Sequence, residues 1–242
     1  MIYEEILKAK KQQRKQLFVL VDPDKTGHLE SIVQLPENEL PDAFLVGGTL
    51  LEENNTRSVV EFIKKACRKP VILFPGNPSQ ICNNADGLLL LSLISGRNPE
   101  LLIGQHVLAA PLIHKSKLEV ISVGYILMDS GKPTAVSYMS NTVPIPADKP
   151  QIAAATALAG TQLGLKCIYL EGGSGGQQHP STAVIKAVRA VIDTPLLVGG
   201  GITTPEQARN ICEAGADILV GGTIFEHEPN LVAEFIRAIR PL

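Results

Sequence analysis

The chain has 242 residues, of which 45% are apolar, 19% charged and only 4% aromatic. A core of that kind does not rely on large rings, and the length suits one or two domains, since α/β barrels commonly occupy roughly 200–250 residues as one unit. Twenty-two basic and 24 acidic side chains give a formal charge of −2, which argues against nucleic acid as a partner, because backbone phosphates are met by a clear Lys/Arg excess. Cys67, Cys82, Cys167 and Cys212 form no CxxC pair and have no His at ligand spacing, so neither a zinc site nor a redox pair is expected. The first twenty residues carry charge where a secretory signal needs its apolar stretch, and no apolar run approaches the roughly 18–20 residues that span a bilayer. A cytoplasmic location with reduced thiols is the expectation.

Along the chain, short β-branched or Leu-rich runs bounded by Gly, Pro, Asp or Asn predict strands covered on both faces. They fall at 17–21, 43–46, 71–74, 87–92, 119–128, 167–170, 195–198 and 217–220. Helical periodicity marks 55–67, 98–113, 149–163, 181–192, 205–214 and 229–240, and a basic helix is expected near the N-terminus. Alternating strands and helices imply parallel pairing, and eight units imply a single (β/α)8 TIM-like barrel. One unit departs from the rule. Only Pro75 to Asp86, with Pro75, Gly76 and Pro78 inside it, separates the third and fourth strands, so the crossover there is expected to be shortened and irregular. Residues 129–148 form the longest irregular stretch and read as an excursion at the barrel mouth.

In this architecture the chemistry lies where strands end. The first strand runs into Asp22, Pro23, Asp24 and Lys25, and the second into Gly47, Gly48 and Thr49. The sixth runs into the glycine loop from Glu171 to Gly176, the seventh into Gly199, Gly200 and Gly201, and the eighth into Gly221, Gly222 and Thr223. Glycines at two neighbouring strand ends, each ahead of a helix, are the usual barrel site for a phosphate held by main-chain amides. Asp22 with Thr49 fits the sparse ligand set of a hard divalent ion such as Mg²⁺; a turn cap or a pair with Lys25 explains Asp22 equally well. Glu171 is the candidate base, with Tyr169 two residues earlier on the same strand face. Ser174 sits in GGSGG rather than a nucleophile elbow, and its hydroxyl reads as a phosphate donor. The five histidines show no paired spacing, and most are expected at the surface.

These motifs, LVDPDK, VGGT, YLEGGSG, VGGGI and LVGGT, resemble those of the geranylgeranylglyceryl phosphate synthase family, also called phosphoglycerol geranylgeranyltransferases, through nearly the whole chain. The resemblance implies a transferase that joins sn-glycerol 1-phosphate to a prenyl diphosphate through an ether bond, with Mg²⁺ as cofactor and diphosphate as the other product. It places the metal on Asp22 and Thr49. It places glycerol phosphate on Tyr169, Leu170, Glu171, Gly172, Gly173, Ser174 and Gly175, with Gly199, Gly200, Gly201, Gly221 and Gly222, and makes Glu171 the base. It also accounts for the missing third helix, which opens a groove for the prenyl chain. Leu and Ile at strand ends and in the region 87–104 are expected to supply that groove, with Ser92 to Asn98 lining it near the diphosphate and Arg97 a partner for diphosphate. Where some relatives carry Lys, this chain has Leu20, which leaves the cation facing the phosphate unidentified.

A homo-oligomer is expected from the same resemblance, and the small-residue segment 152–164 could pack on the barrel or on another subunit. Lys8, Lys10, Lys11, Arg14 and Lys15 are compatible with weak contact to an anionic membrane surface. The competing enzyme reading is a sugar-phosphate isomerase or cyclase on the same scaffold, with Asp22 and Asp129 as opposed acid and base. A non-catalytic phosphate-binding barrel is the reading from a different class.

Overall fold

Eight parallel strands pair in chain order, and the eighth closes on the first. The structure is a computed structural model, and residues 1–240 are described. In order, the elements are α1 (Ile2–Lys11), β1 (Gln16–Val21), α2 (Leu29–Val33), β2 (Ala43–Val46), α3 (Thr56–Ala66), β3 (Val71–Leu73), β4 (Gly87–Leu93), α4 (Gly104–Ser116), β5 (Glu119–Leu127), α5 (Ala135–Met139), α6 (Pro150–Gln162), β6 (Cys167–Glu171), α7 (Thr182–Arg189), β7 (Leu196–Gly199), α8 (Pro205–Glu213), β8 (Ile218–Gly221), α9 (Thr223–His227) and α10 (Leu231–Ile239). All eight expected strands are present and the barrel is the expected one. The short helices α2, α5 and α9, five residues each, were not read from sequence because one helical turn leaves no periodic signal.

Strand residues alternate between two cores, as a period of two requires. Phe18, Leu45, Ile72, Leu89, Val123, Tyr169 and Leu197 fill the barrel. Their neighbours Val19, Phe44, Leu73, Leu88, Ile168, Leu170 and Val198 face the helical shell. Closure is set by register: Phe18 pairs with Ala43 of β2 on one side and with Val220 of β8 on the other. The small-residue segment packs inward, with Ala153, Ala157 and Gly160 of α6 buried against the barrel. A Cβ on Gly160 would lie 2.8 Å from Ile94 and 2.9 Å from Ile168.

The end of the barrel away from the mouth is sealed by a repeated device. Carboxylates of Asp42, Asp86 and Asp217 each accept the opening amide of a neighbouring strand, from Leu17 at 2.8 Å, Val71 at 2.9 Å and Leu196 at 2.9 Å. Each is also paired with a cation: Asp42 with Arg14 and Arg240, Asp86 with Lys64, Asp217 with Arg189. Helix α1 closes this end, putting Ile6 into the inner core and taking two amide bonds from Ile2 and Tyr3 to Glu119.

Between β3 and β4 the chain makes only a single 3-10 turn, Pro78–Gln80, with Asn77 capping it through Ser79 N–H at 2.9 Å. This is the shortened crossover expected from Pro75, Gly76 and Pro78. With no helix there, β3 is covered by α3, and the outer side of β4 faces α4, tied to it by Ser92 and His106 at 3.1 Å. The excursion 129–148 does lie at the mouth: Ser130 carbonyl accepts from Gln177 and Gln178, and Thr134 lies against Gly173.

Replacing Asp217 with Ala strands the mostly buried Arg189 guanidinium and the Leu196 amide. A loss of roughly 2–4 kcal/mol in unfolding free energy is expected from that, read by urea denaturation; a loss below about 0.5 kcal/mol would show the device to be dispensable.

Candidate active site

Glu171 is the last residue of β6 and the last of the inward-facing set Cys167, Tyr169, Glu171, so the strand's own period aims its carboxylate into the mouth. It is only 5% exposed. Burial pushes its carboxyl above the ordinary glutamate range, and bonds from the Tyr169 phenol and the Gly173 amide pull part of the way back. The Gly173 N–H donates to Oε1 at 2.6 Å. Cations are missing from that list of partners, so a neighbouring donor or a substrate proton changes the balance of this carboxyl more than it would at a surface. Tyr169 is completely buried, its hydroxyl beside Gly199, where a Cβ would stand only 2.3 Å away. It therefore positions Glu171 from below. Leu170 faces the outer core, and its side chain does not reach the mouth.

The glycine strand ends form the second wall. Gly172 N–H donates to Gly199 carbonyl at 2.9 Å, tying the β6 and β7 loops. Gly200 has φ +79°, and a Cβ there would lie 2.3 Å from Glu171 Oε1 and 2.6 Å from Gly173 N; only glycine fits both the dihedral and the space. Ser174 Oγ lies 3.1 Å from Thr223 Oγ1, which brings the loop after β6 to the end of β8. Among the described residues, the amides of Ser174, Gly175, Gly200, Gly201 and Gly222 donate to no protein acceptor. Unpaired N–H groups converging from three strand ends make a cradle for an anion. Of the helices expected to follow the glycine runs directly, the one after β7 begins beyond its loop, capped by Thr204, whereas the one-turn helix after β8 opens at Gly222. Thr223 is the site residue the sequence reading passed over, visible only once the two loops meet.

Across the mouth, Asp22 lies under the end of β2: a Cβ on Gly48 would be 3.7 Å from its carboxylate. Thr49 is the next residue. The bland reading of Asp22 is also present, since its Oδ1 accepts from Asp24 N–H at 3.1 Å and its Oδ2 pairs with Lys25 Nζ at 3.5 Å. Lys25 also approaches Glu226 at 3.9 Å, making it a cation at this rim. No group of three or more His, Cys, Asp or Glu gathers anywhere among the described residues. Asp22 with the Thr49 hydroxyl is thus a one-carboxylate donor set, which fits a magnesium ion whose remaining ligands are waters and substrate phosphates. Gln80, buried to 1%, braces this wall by accepting from Gly48 N–H at 3.3 Å and Gly76 N–H at 3.1 Å and donating to Gly48 carbonyl at 2.8 Å.

From Gly48 and Thr49 an apolar cavity of about 260 Å³ runs outward through the gap left by the short crossover. Phe74 and Tyr125 wall it near the barrel, Leu88 to Leu91 and Leu93 of β4 along its length, and Leu101, His106 and Ala109 on the α4 side. Of the stretch 92–98, Leu93 is on this wall; the groove is made by β4 itself rather than by the loop after it. Arg97 is exposed and donates to Gly96 carbonyl at 3.3 Å. Ser92 is instead hydrogen-bonded to His106, at 3.1 Å. The expectation of surface histidines holds for His114 and His227. It fails for His28, which is buried, its imidazole pushed below the usual range by that burial.

No helix among the described residues is long and apolar enough to cross a membrane. The basic helix α1 lies at the opposite end from this site, and there Arg14 pairs with Asp42 and Lys15 donates to Ala216 carbonyl.

Residues 9–240 match the PcrB family. The chain is 48% identical over 229 residues to the geranylgeranylglyceryl phosphate synthase of Spirosoma linguale, across 94% of this chain and 92% of the relative. It is 46% identical over 240 residues to that of Chitinophaga pinensis, across 98% and 95%. Among solved structures it matches, with a TM-score of 0.92 and 30% identity, the (S)-3-O-geranylgeranylglyceryl phosphate synthase of Thermoplasma acidophilum in complex with its substrate sn-glycerol-1-phosphate, covering 100% of this chain and 99% of that one.

The buried carboxyl of Glu171 makes a signed prediction. Its folded pKa is raised, so its contribution to stability is fully present below the unfolded value and is lost as pH rises through the folded one. Glu171→Gln carries no such dependence. Its stability relative to the parent should therefore increase from pH 4 to pH 8 in parallel denaturation series; a constant or falling difference would contradict the burial assigned here.

Proposed function

Because the chain belongs to the PcrB family and is a prenyltransferase of the geranylgeranylglyceryl phosphate synthase type, we propose that it joins the 3-hydroxyl of sn-glycerol 1-phosphate, one of its two free hydroxyls, to C1 of geranylgeranyl diphosphate, releasing diphosphate. The observation that carries this reading is the placement of Glu171 between an amide-lined anion cradle and the inner end of an apolar cavity. A glycerol phosphate anchored by Ser174, Gly200, Gly201 and Gly222 extends its hydroxyl toward Glu171, and the leucine-walled cavity takes the prenyl tail.

An alcohol is a weak nucleophile, so the reaction depends on loss of the leaving group and on removal of the proton as bonding advances. The Glu171 carboxylate accepts that proton; its raised pKa makes it a better base than a surface glutamate. Tyr169 and the Gly173 amide hold the carboxylate in place. Asp22 and Thr49 would hold magnesium, with the diphosphate supplying further oxygens. Bound there, the ion would neutralise charge on the departing diphosphate. Lys25, already between Asp22 and Glu226, is the cation positioned to meet a phosphate at this rim. The cavity walls keep water from the reacting carbon.

The isomerase reading is disfavoured by Asp129. Its carboxylate accepts from Gly131 N–H at 2.9 Å within its own turn and is exposed, outside the arrangement of Glu171, Asp22 and the cavity.

The protein also reads as a homo-oligomer. Helix α4 buries Ala109 yet exposes Val107, Leu108 and Leu112, with Ile103 just ahead of it exposed as well, an apolar outer patch suited to a second copy of the chain. Any weak membrane contact of Lys8, Lys10 and Lys11 on α1 occurs at the far end from the mouth and has no part in the chemistry.

Three outcomes follow. With labelled sn-glycerol 1-phosphate, Mg²⁺ and geranylgeranyl diphosphate, label should enter the organic phase, and Glu171→Gln should reduce this at least about 100-fold while glycerol phosphate still binds; undiminished turnover would refute the assignment of the base. Excess EDTA should abolish turnover, reversed by Mg²⁺, and activity that survives chelation would count against Asp22 and Thr49 as ligands. Light scattering on Val107→Asp with Leu108→Asp should show a smaller particle than the parent, whereas a monomeric parent would remove the oligomer.

A further inference from the structure

The chain is poor in aromatic residues, with four Tyr, six Phe and no Trp, yet three of these rings meet at one point. Phe74 follows β3, Tyr125 is on β5 and Tyr169 on β6. Their centroids are 6.4 Å (Phe74 to Tyr125), 5.8 Å (Phe74 to Tyr169) and 5.4 Å (Tyr125 to Tyr169) apart, tilted by 45°, 53° and 71°, so none of the three pairs stacks face to face. Phe74 and Tyr125 also form the cavity wall, close to Gly48 and Thr49. Tyr169 lies behind them under Glu171. Along the length of the cavity the wall is the leucines of β4 with Ile81, Leu101 and Val136, which suffice to hold a hydrocarbon tail. The rings therefore stand at the inner end of the cavity, between the carboxylate on one side and the Asp22 and Thr49 rim on the other.

That is where the reacting carbon of the prenyl diphosphate belongs, on the functional reading given above. When the bond from C1 to the diphosphate oxygen breaks, its electron pair leaves with the diphosphate, and positive charge spreads over C1 and C3 of the allyl unit. The glycerol hydroxyl oxygen then forms the new bond to C1, and its proton passes to Glu171. Between those events the allyl unit is electron-poor beside a largely apolar wall. An aromatic face presents negative quadrupole potential to such a cation, and the attraction is greatest where solvent is excluded. Leucine walls offer packing alone.

We propose that Phe74 and Tyr125 are catalytic residues whose ring faces flank the allylic carbons and stabilise the positive charge developing there as diphosphate departs. Tyr169 is a positioning residue for both: its ring backs theirs, and its phenol holds Glu171.

The test compares Tyr125→Phe, Tyr125→Leu and Phe74→Leu, with geranylgeranyl diphosphate and with its analogue bearing fluorine at C2, which destabilises the allylic cation. Tyr125→Phe should stay within about threefold of the parent kcat, because it keeps the ring. Each leucine variant should lose about tenfold or more in kcat, with glycerol phosphate affinity unchanged and a larger rate ratio of unfluorinated to fluorinated substrate. Phe74 is partly accessible at the barrel rim, so Phe74→Leu decides the matter if Tyr125→Leu does not fold. Leucine variants with parental kcat, an unchanged fluorine ratio, or a Tyr125→Phe loss as large as that of Tyr125→Leu would each overturn the proposal. A parent protein that does not turn over prenyl diphosphate would instead remove the functional reading itself.

Discussion

A carboxylate at the top of a barrel filled with Leu, Ile and Val is costly to keep charged unless donors reach it. Here they come from the chain on either side: the Tyr169 phenol one pleat below and the Gly173 amide one turn beyond. The rest of the mouth follows from that requirement. To turn back on Glu171, the loop after β6 needs glycine at 172 and 173, and the adjoining β7 end needs glycine at 200, where a side chain would meet the carboxylate. With the Gly172 and Gly173 amides spent on Gly199 and Glu171, the N–H groups of Ser174, Gly175, Gly200 and Gly201 next to them are left bare. Base and anion cradle are therefore one construction, with the supports of the first forming the wall of the second.

The other half of the site comes from what the fold omits. A regular third helix would cover β3 and β4; Pro75, Gly76 and Pro78 confine the crossover to one 3-10 turn, and α4 covers the gap at a distance. The space between becomes an apolar cavity whose inner end reaches the barrel axis beside Phe74 and Tyr125. Gln80, in the middle of that short crossover, satisfies the polar groups of Gly48 and Gly76, so the rim bearing Thr49 stays ordered although no helix supports it. On the proposed function, one irregular connection would account for room for the tail, the shape of the rim bearing Asp22 and Thr49, and access to the reacting centre.

Much of this was legible in the chain because the signals are local. Eight short apolar runs separated by helical or turn segments leave little choice of architecture, and strand ends announce themselves by Gly, Asp and Pro. The inward aim of Glu171 follows from counting by twos along CIYLE. What sequence could not supply depends on partners distant in the chain. Thr223 joins the site through Ser174, 49 residues away, and Gln80 through Gly48, 32 residues away. The groove was expected from the leucine-rich region 87–104, and Leu88 to Leu91, Leu93 and Leu101 do line it; of Ser92 to Asn98 only Leu93 reaches it, because β4 faces the groove directly where a covering helix is absent. Tyr169 was expected to touch substrate; its ring is completely buried beneath Glu171, a depth that depends on rings just after β3 and on β5, far away in the chain. The histidines illustrate the same limit, since nothing near His28 in the chain reveals that it will be buried.

The central claim is that one bound glycerol phosphate touches the amide cradle and Glu171 together. A crystal structure of this protein with sn-glycerol 1-phosphate tests it most directly. The account predicts the phosphate among Ser174, Gly200, Gly201, Gly222 and Thr223, with a glycerol hydroxyl in hydrogen-bonding distance of the Glu171 carboxylate and facing the cavity. A phosphate lodged elsewhere, or a Glu171 side chain turned away from the hydroxyl, would contradict it.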